Sequence, residues 1–336
     1  MVGEQHIIAM HIAAARLRAP RSWRLRHLVA IVLAPIGLGL VSLVLVAFRD
    51  PTSRFLARRS HLVRVDEGRP EVMGDHVVES VRLRAASGLV VDLLIKRPNL
   101  VVGASAPNRE AVRRPALLLL GGHVTGREAV HLIPATRGTV VAAMSYPYRG
   151  EHRLKGLQIV RHVPAIRGAV LDTPPAAMLA LDYLSSRPDV DPRRMEGVGV
   201  SLGAPFMVIA GALDARLTRV WLLYGSGGSY GPLAANLEHT IRFAPARATV
   251  AALASLLISG PRLAPERWVG RIAPRPFVML NARDDEQMPR AFVERLYESA
   301  REPKSIIWVP GGHVRARPDI VRPLVDTVLA RVIATP

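Results

Sequence analysis

Short apolar runs recur along the chain and alternate with segments of helical pattern. Runs of this kind predict strands buried on both faces, as in a parallel sheet. They cover residues 116–120, 139–144, 195–200, 220–224, 277–280 and 305–309. Helical patterns occur between and after them, over residues 169–185, 204–213, 290–300 and 319–333. The alternation predicts an α/β domain with a mostly parallel central sheet and helices on both faces.

An antiparallel hairpin is predicted ahead of these runs. Residues 77–85 alternate between apolar and polar positions, Ser87 and Gly88 give a turn signal, and residues 89–95 predict a second strand. The domain is therefore expected to cover residues 71–336, with the hairpin at its amino-terminal edge.

One stretch breaks the alternation of strands and helices. Residues 226–268 lie between two predicted strands and are longer than a plain crossover requires. Alanine and leucine dominate a helical run at residues 246–258. The insertion predicts either a lid above the carboxyl ends of the strands or a lengthened surface helix. Contact of its apolar face with a membrane surface is a further interpretation.

The segments before the domain have the pattern of a membrane anchor. Residues 28–48 are 21 consecutive residues without a charge, which at about 1.5 Å per residue reach the roughly 30 Å of a bilayer core. They predict one retained transmembrane helix, with a cleaved signal peptide as the alternative. Residues 1–27 form a basic tail, and the polar, arginine-rich residues 49–70 are interpreted as a stalk. Arginines flank the span on both sides, but the short basic tail favours an extracytoplasmic position for the large domain.

Composition narrows the classes of partner. The chain has 336 residues, of which 49% are hydrophobic, so it can build a substantial core. It has no cysteine, which excludes disulfides and thiolate metal sites. The net charge of +18 raises the question of nucleic acid, but the basic residues are dispersed and no nucleic-acid-binding motif is present. Anionic lipid head groups are the simpler partner for the arginines that flank the span. The oligomeric state is left open.

A Gly-x-Ser-x-Gly pentapeptide carries the candidate chemistry. Gly199, Ser201 and Gly203 stand between a predicted strand and a predicted helix. A strand that turns sharply into a helix holds a serine in a strained conformation and exposes its hydroxyl at the carboxyl edge of the sheet. The flanking glycines allow the backbone to pass close to itself. The pattern predicts Ser201 as a nucleophile.

A serine nucleophile needs a base and an acid that orients the base, and in this architecture they follow it in the order acid, then histidine. Downstream of Ser201 only His239 and His313 are available. His313 is favoured because it follows a predicted strand through a pair of glycines, whereas His239 lies in the insertion. For the acid, three carboxylates follow the predicted strand of residues 277–280: Asp285 is favoured over Asp284, and Glu286 is interpreted as a solvated neighbour.

Two backbone N–H groups are needed to stabilise an oxyanion. One is expected from Leu202, directly after the nucleophile, and the other from Gly122 or His123 in the turn after the strand of residues 116–120. The His123 side chain has an alternative role as a metal ligand or base, but its spacing to His131 does not match a ligand motif, so no metal site is predicted.

With these residues in place, the sequence resembles the α/β-hydrolase superfamily. It looks closest to the branch of dienelactone hydrolases, acetyl xylan esterases and prolyl-oligopeptidase-like domains. The resemblance covers roughly residues 77–333 and is most specific over residues 172–203, where an aspartate-rich segment leads into the pentapeptide. It implies an α/β-hydrolase fold with Ser201, Asp285 and His313 as nucleophile, acid and base. The Gly-Gly-His turn at 121–123 departs from the common His-Gly-Gly order, which leaves the second oxyanion donor open.

The function expected from these features is a membrane-anchored serine hydrolase that cleaves an ester or related acyl bond of a small molecule without a cofactor. Two alternatives stand beside it. One is a peptidase of the same fold, which usually carries an additional domain that restricts access. The other is a non-catalytic, hydrolase-like binding or scaffold module. The sequence does not select the acyl group or the alcohol.

Overall fold

The computed structural model describes residues 21–99, 113–122, 125–150 and 157–334. The chain divides into two compact units, Met1–Val46 and Ala47–Pro336. In the described part of the chain, no single helix meets the length and hydropathy expected of a membrane span. Leu33–Phe48 meets them only when it is joined with Thr52–Arg59 across a bend. The predicted span of residues 28–48 lies within a long helix, α1 (Arg21–Phe48), and its insertion into a bilayer stays a prediction.

The strands of the described residues form one sheet. In chain order they are β1 Leu62–Glu67, β2 Glu71–Met73, β3 His76–Ala85, β4 Val90–Pro98, β5 Arg114–Leu120, β6 Val140–Met144, β7 Val190–Val200, β8 Leu217–Leu223, β9 Phe277–Ala282 and β10 Lys304–Val309. Their spatial order is β1-β3-β4-β6-β5-β7-β8-β9-β10, with β2 paired to β3. Strands β5 to β10 pair in parallel, whereas β1 to β4 are antiparallel to their neighbours. The predicted mostly parallel sheet and the amino-terminal hairpin are confirmed.

Helices cover both faces of this sheet. After α1 they are α2 Thr52–Arg59, α3 Leu157–Ser186, α4 Ala204–Leu213, α5 Gly231–Asn236, α6 Ala244–Leu257, α7 Gly260–Leu263, α8 Arg290–Ser299 and α9 Pro318–Ala334. One core cluster joins the sheet to α2, α3, α4 and α8. A second cluster joins the opposite face to α9 and to a 3₁₀ helix at Gly126–Leu132. Two apolar layers around one sheet are what an α/β domain requires.

The interpretation of residues 49–70 as a stalk is wrong. These residues form α2 and β1, and β1 pairs with β3 as an edge strand. Phe55 is fully buried in the core, with its ring centroid 6.0 Å from that of Trp268. Arg58 binds Asp172 with two hydrogen bonds of 3.0 and 2.8 Å. The segment has a polar sequence because it contains the arginines that pair with carboxylates of α3. Its charged composition therefore does not indicate that its helix is packed against the domain.

Residues 226–268 form more than a single crossover helix, because they contain α5, α6 and α7 between β8 and β9. They touch the loop after β9, where Asn236 Nδ2 donates to the Gln287 carbonyl at 3.2 Å. Val250, Leu253 and Leu257 of α6 are exposed. Whether the insertion moves as a lid stays a prediction.

Candidate active site

The turn from β7 into α4 fixes the position of Ser201. Its φ is +51°, a left-handed conformation that side chains other than glycine rarely adopt. A Cβ on Gly199 would lie 2.7 Å from the Gly203 carbonyl oxygen, and a Cβ on Gly203 would collide with the Leu120 carbonyl oxygen. Both glycines are therefore needed where three backbone segments meet. The strained turn presents the serine hydroxyl at the carboxyl edge of the sheet.

Ser201, His313 and Asp285 form a continuous chain of hydrogen bonds. Ser201 Oγ lies 2.8 Å from His313 Nε2. The other ring nitrogen, Nδ1, lies 3.0 and 2.9 Å from the two carboxylate oxygens of Asp285. The side chains of His313 and Asp285 are only 6% and 1% exposed, so water screens their interaction weakly. The three residues come from loops after β7, β9 and β10, which run parallel and end at the same edge.

The loop after β9 orients the carboxylate. Asp285 Oδ1 also accepts backbone N–H groups from Gln287 and Met288, each at 2.9 Å. Asp284 is exposed, and its backbone N–H donates to the Gly311 carbonyl at 3.1 Å. The geometry therefore separates two carboxylates that are neighbours in the sequence: Asp285 faces the imidazole, and Asp284 ties its loop to the histidine loop through the backbone.

Glu286 contacts the histidine loop directly, although the sequence suggested only a solvated neighbour. Its side chain is at the surface, but Oε2 accepts the backbone N–H of His313 at 3.1 Å. A Cβ on Gly312 would lie 2.7 Å from the same oxygen and would displace this carboxylate from its place beside the His313 N–H. The backbone N–H groups of Glu286 itself and of His313 hold the pKa of this carboxyl below its ordinary value. Glu286 is a positioning residue for the loop that carries the imidazole.

Tyr224 is a second residue that the sequence did not single out. It follows β8 with a φ of +51° and is buried. Its ring packs edge-on against the His313 imidazole, with centroids 5.8 Å apart and planes at 81°. Burial, and then the negative charge of Asp285, raise the pKa of the phenol, so Tyr224 stays neutral beside the histidine. In the sequence the available signal was its position at the carboxyl end of the predicted strand of residues 220–224, the end at which the nucleophile is expected.

The other residues predicted for the site are placed as follows. His239 is exposed after α5, and no contact with Ser201 is observed for it. Leu202 follows the nucleophile in the first turn before α4. Gly122 lines the cavity beside Ser201, and its carbonyl accepts N–H groups from Thr125 at 3.1 Å and from Gly126 at 3.3 Å. His123 lies outside the described residues.

An apolar cavity of about 400 Å³ opens beside Ser201 and His313. Its floor is the sheet face formed by β5, β7 and β8, and its walls are α9 and the 3₁₀ helix Gly126–Leu132. The apolar lining includes Leu119, Val200, Leu223, Val325 and Val328. Residues 226–268, predicted as a lid, are not part of this lining. The cavity exists because a short 3₁₀ helix, rather than a full helix, covers that side of the sheet next to α9.

Comparisons with known proteins place the fold. No protein-family model matches the chain. The uncharacterized protein YfhR of Escherichia coli K12 is 28% identical over 181 residues, and that of Salmonella typhi is 28% identical over 183 residues. These alignments cover 52% and 51% of this chain. They cover 54% of each relative, so the chain spans about half the length of the curated relatives it matches.

Solved structures cover more of the chain. Acetyl xylan esterase 1 from Thermoanaerobacterium sp. JW/SL YS485 superposes with a TM-score of 0.59 at 15% identity, covering 84% of this chain and 93% of its own. Acetyl xylan esterase from Paenibacillus sp. R4 gives 0.60 at 17% identity, covering 84% and 92%. 2,6-dihydroxy-pseudo-oxynicotine hydrolase gives 0.55 at 19%, covering 76% and 68%. The resemblance that the sequence indicated is thus confirmed at the level of the fold, and this chain has the fold of the α/β-hydrolase superfamily.

Proposed function

We propose that this chain is a membrane-anchored serine hydrolase of the carboxylesterase type. The observation that carries the proposal is the unbroken chain of hydrogen bonds from Ser201 Oγ through His313 to Asp285. A serine hydroxyl is a weak nucleophile unless a base removes its proton, and the base needs a third group to hold its tautomer. Three of the structural neighbours are esterases, which supports the same class of reaction.

The reaction uses groups of the chain and water. His313 Nε2 takes the hydroxyl proton while Ser201 Oγ bonds to the substrate's carbonyl carbon. Asp285 stabilises the imidazolium that forms. The imidazolium then gives its proton to the departing alcohol, which leaves an acyl-enzyme on Ser201. Water, deprotonated by His313, attacks that ester and releases the acid, so that the serine regains its proton.

The oxyanion of the tetrahedral intermediate requires preorganised donors. We assign one to the backbone N–H of Leu202, at the start of the helical turn, and the other to Gly122 or His123. Both carbonyls of the turn at Gly121 and Gly122 are engaged: Tyr146 Oη donates to the Gly121 carbonyl, and the N–H groups of Thr125 and Gly126 donate to that of Gly122. These hydrogen bonds fix the turn that we propose to supply the second donor.

The cavity beside Ser201 supports an ester with an apolar acyl group. Its lining is dominated by leucine, valine and isoleucine side chains, and a chain laid along α9 would leave its carbonyl carbon near the serine. Burying each methylene contributes about 0.8 kcal/mol of binding. A polar polymer substrate would gain little from such a surface.

Labelling with a fluorophosphonate probe tests the mechanism. Such a probe bonds covalently to an activated serine, so the wild type should be labelled and Ser201→Ala should not. Hydrolysis of a short p-nitrophenyl ester should fall by roughly four to six orders of magnitude in the same variant. Ser53→Ala, which removes an exposed hydroxyl in α2, is the matched control and should keep both signals. Absence of labelling in the wild type would favour a non-catalytic scaffold.

The membrane anchor is tested on the full chain. The 21 consecutive uncharged residues at 28–48 support the proposal of an anchor. Leu38→Arg combined with Val41→Arg should therefore release the protein from membranes washed with alkaline carbonate. Retention of the double variant would contradict anchoring by this segment. Because the natural chain has no cysteine, Arg193→Cys gives one exposed thiol in the large domain. Labelling of intact cells by an impermeant maleimide supports the extracytoplasmic side; labelling only after lysis contradicts it.

A further inference from the structure

Arg262 is a buried arginine without a counter-ion. It lies in the short helix α7 and is 7% exposed. Its Nε is buried and has no hydrogen-bond partner. Among the described residues, no carboxylate forms a salt bridge with its guanidinium. A buried charge left unpaired is strongly unfavourable, and proteins retain one where a ligand supplies the missing charge.

Four further arginines surround Arg262. Burial first, and then the positive charges of Arg167, Arg54, Arg49 and Arg267, lower its pKa. Within the described part of the chain none of these four forms a salt bridge. Arg167 Nε donates to Ser259 Oγ at 2.9 Å, and Arg267 donates to the carbonyls of Pro261 and Phe48, each at 3.1 Å. Uncharged oxygens orient the guanidinium groups of Arg167 and Arg267, and Asp50 interacts with Arg267 only through space, without a hydrogen bond.

Asp50, an acid next to Arg49 in the sequence, forms no salt bridge with the five arginines. Asp50 Oδ1 accepts the backbone N–H and the hydroxyl of Thr52, at 2.8 and 2.6 Å. Its second oxygen lies 3.7 Å from Arg271, which stands outside the cluster. Elsewhere the chain pairs its arginines closely: Arg187 binds Asp189 at 2.8 Å. Arg187 is also largely buried and has this partner, whereas Arg262 is buried and its Nε has none.

We propose that Arg49, Arg54, Arg167, Arg262 and Arg267 form a binding site for a phosphate group, either as free inorganic phosphate or as the phosphodiester of a lipid headgroup. Guanidinium groups bind phosphate oxygens with paired, charge-assisted hydrogen bonds, and several of them suit a dianion. None of the five residues lines the cavity beside Ser201, so the site is separate from the proposed hydrolase centre. Arg49 directly follows the apolar helix α1. If α1 enters a bilayer, lipid headgroups would lie at the end of this helix, next to Arg49.

Thermal unfolding of the full chain in a neutral maltoside detergent tests the free-phosphate source. Sodium phosphate should raise the wild-type melting temperature by a few degrees in a saturable way, beyond sodium chloride of equal ionic strength. Arg262→Met should melt higher than the wild type without phosphate, because it removes a buried unpaired charge, and it should lose the phosphate shift. Arg54→Gln, at an exposed position that cannot disturb the core, should reduce the shift. Arg193→Gln, which removes an exposed charge on β7, should keep it.

Doped micelles test the lipid source. Dialkyl phosphatidylglycerol is the probe, because its ether bonds resist an esterase, and dialkylglycerol is its phosphate-free control. The site is assigned to headgroups if the phosphatidylglycerol alone shifts the melting temperature, and if this shift is lost in Arg262→Met and reduced in Arg54→Gln. The site is assigned to the free ion if inorganic phosphate gives a shift that the two variants lose and reduce in the same way. The proposal is overturned if neither probe shifts the wild type, or if Arg193→Gln lowers the shift as much as the cluster variants do.

Discussion

The cavity beside Ser201 predicts a preference for medium-length acyl chains. At roughly 30 Å³ for each methylene-sized unit, the cavity of about 400 Å³ holds an acyl chain of about ten carbons with some space unfilled. Each buried methylene contributes about 0.8 kcal/mol, which corresponds to about a fourfold rise in kcat/KM. Between butanoyl and octanoyl esters the increase should therefore approach roughly 200-fold, and it should end once the chain fills the cavity.

The assay is kcat/KM for a series of p-nitrophenyl esters of increasing acyl length, each below its micelle concentration. Val325→Phe is the perturbation, because Val325 lines the cavity from α9 and is only half-buried, so a ring can be added without displacing the core. The larger side chain adds roughly the volume of two methylene groups, and the preferred acyl length should shorten by about that number. Ala330→Phe adds the same ring at an exposed position of α9 and should leave the preference unchanged.

Two results would refute this reasoning. One is a wild type that favours acetyl esters, with kcat/KM falling steadily as the chain grows. The other is a Val325→Phe enzyme with the same length preference as the wild type, which would mean that the acyl chain lies elsewhere. Loss of activity toward all esters in Ser201→Ala is a separate matter, so failure of the acyl prediction can be told apart from failure of the proposed hydrolase.

Three further predictions concern residues that hold the fold and the site. Phe55→Ala should lower the free energy of unfolding by about 3–5 kcal/mol in urea denaturation, because the ring is fully buried; an unchanged midpoint would mean that the segment is a stalk after all. Gly203→Ala should lower the free energy of unfolding by about 3 kcal/mol or more, since its Cβ collides with the backbone of β5. Gly168→Ala is the control: there is open space around its Cβ, so the free energy of unfolding should stay the same or rise in the same experiment. Glu286→Ala should lower kcat roughly tenfold with little change in melting temperature, since it removes the acceptor of the His313 N–H at an exposed position; an unchanged kcat would show that the loop holds itself.

The sequence by itself determined the features that depend on local chemistry. Apolar runs buried on both faces located the parallel strands, because β6 and β9 have no exposed position for a polar residue. The pentapeptide located the nucleophile turn, since only glycine fits where Gly199 and Gly203 approach neighbouring backbone. The order of serine, acid and histidine narrowed the remaining candidates to a few side chains.

Tertiary packing decided which of two adjacent residues takes a role in the site and which distant segments are in contact. Asp284 and Asp285 differ little as sequence, but only the second faces the imidazole, because the direction of a loop side chain depends on the backbone bonds around it. The sequence predicted Arg58 as part of a stalk, because its partner on α3 is 114 residues away along the chain. The cavity wall came from α9 instead of the insertion. Five arginines separated by up to 218 residues came together, and no described acid forms a salt bridge with them. Such contacts join positions remote along the chain, so no local pattern encodes them.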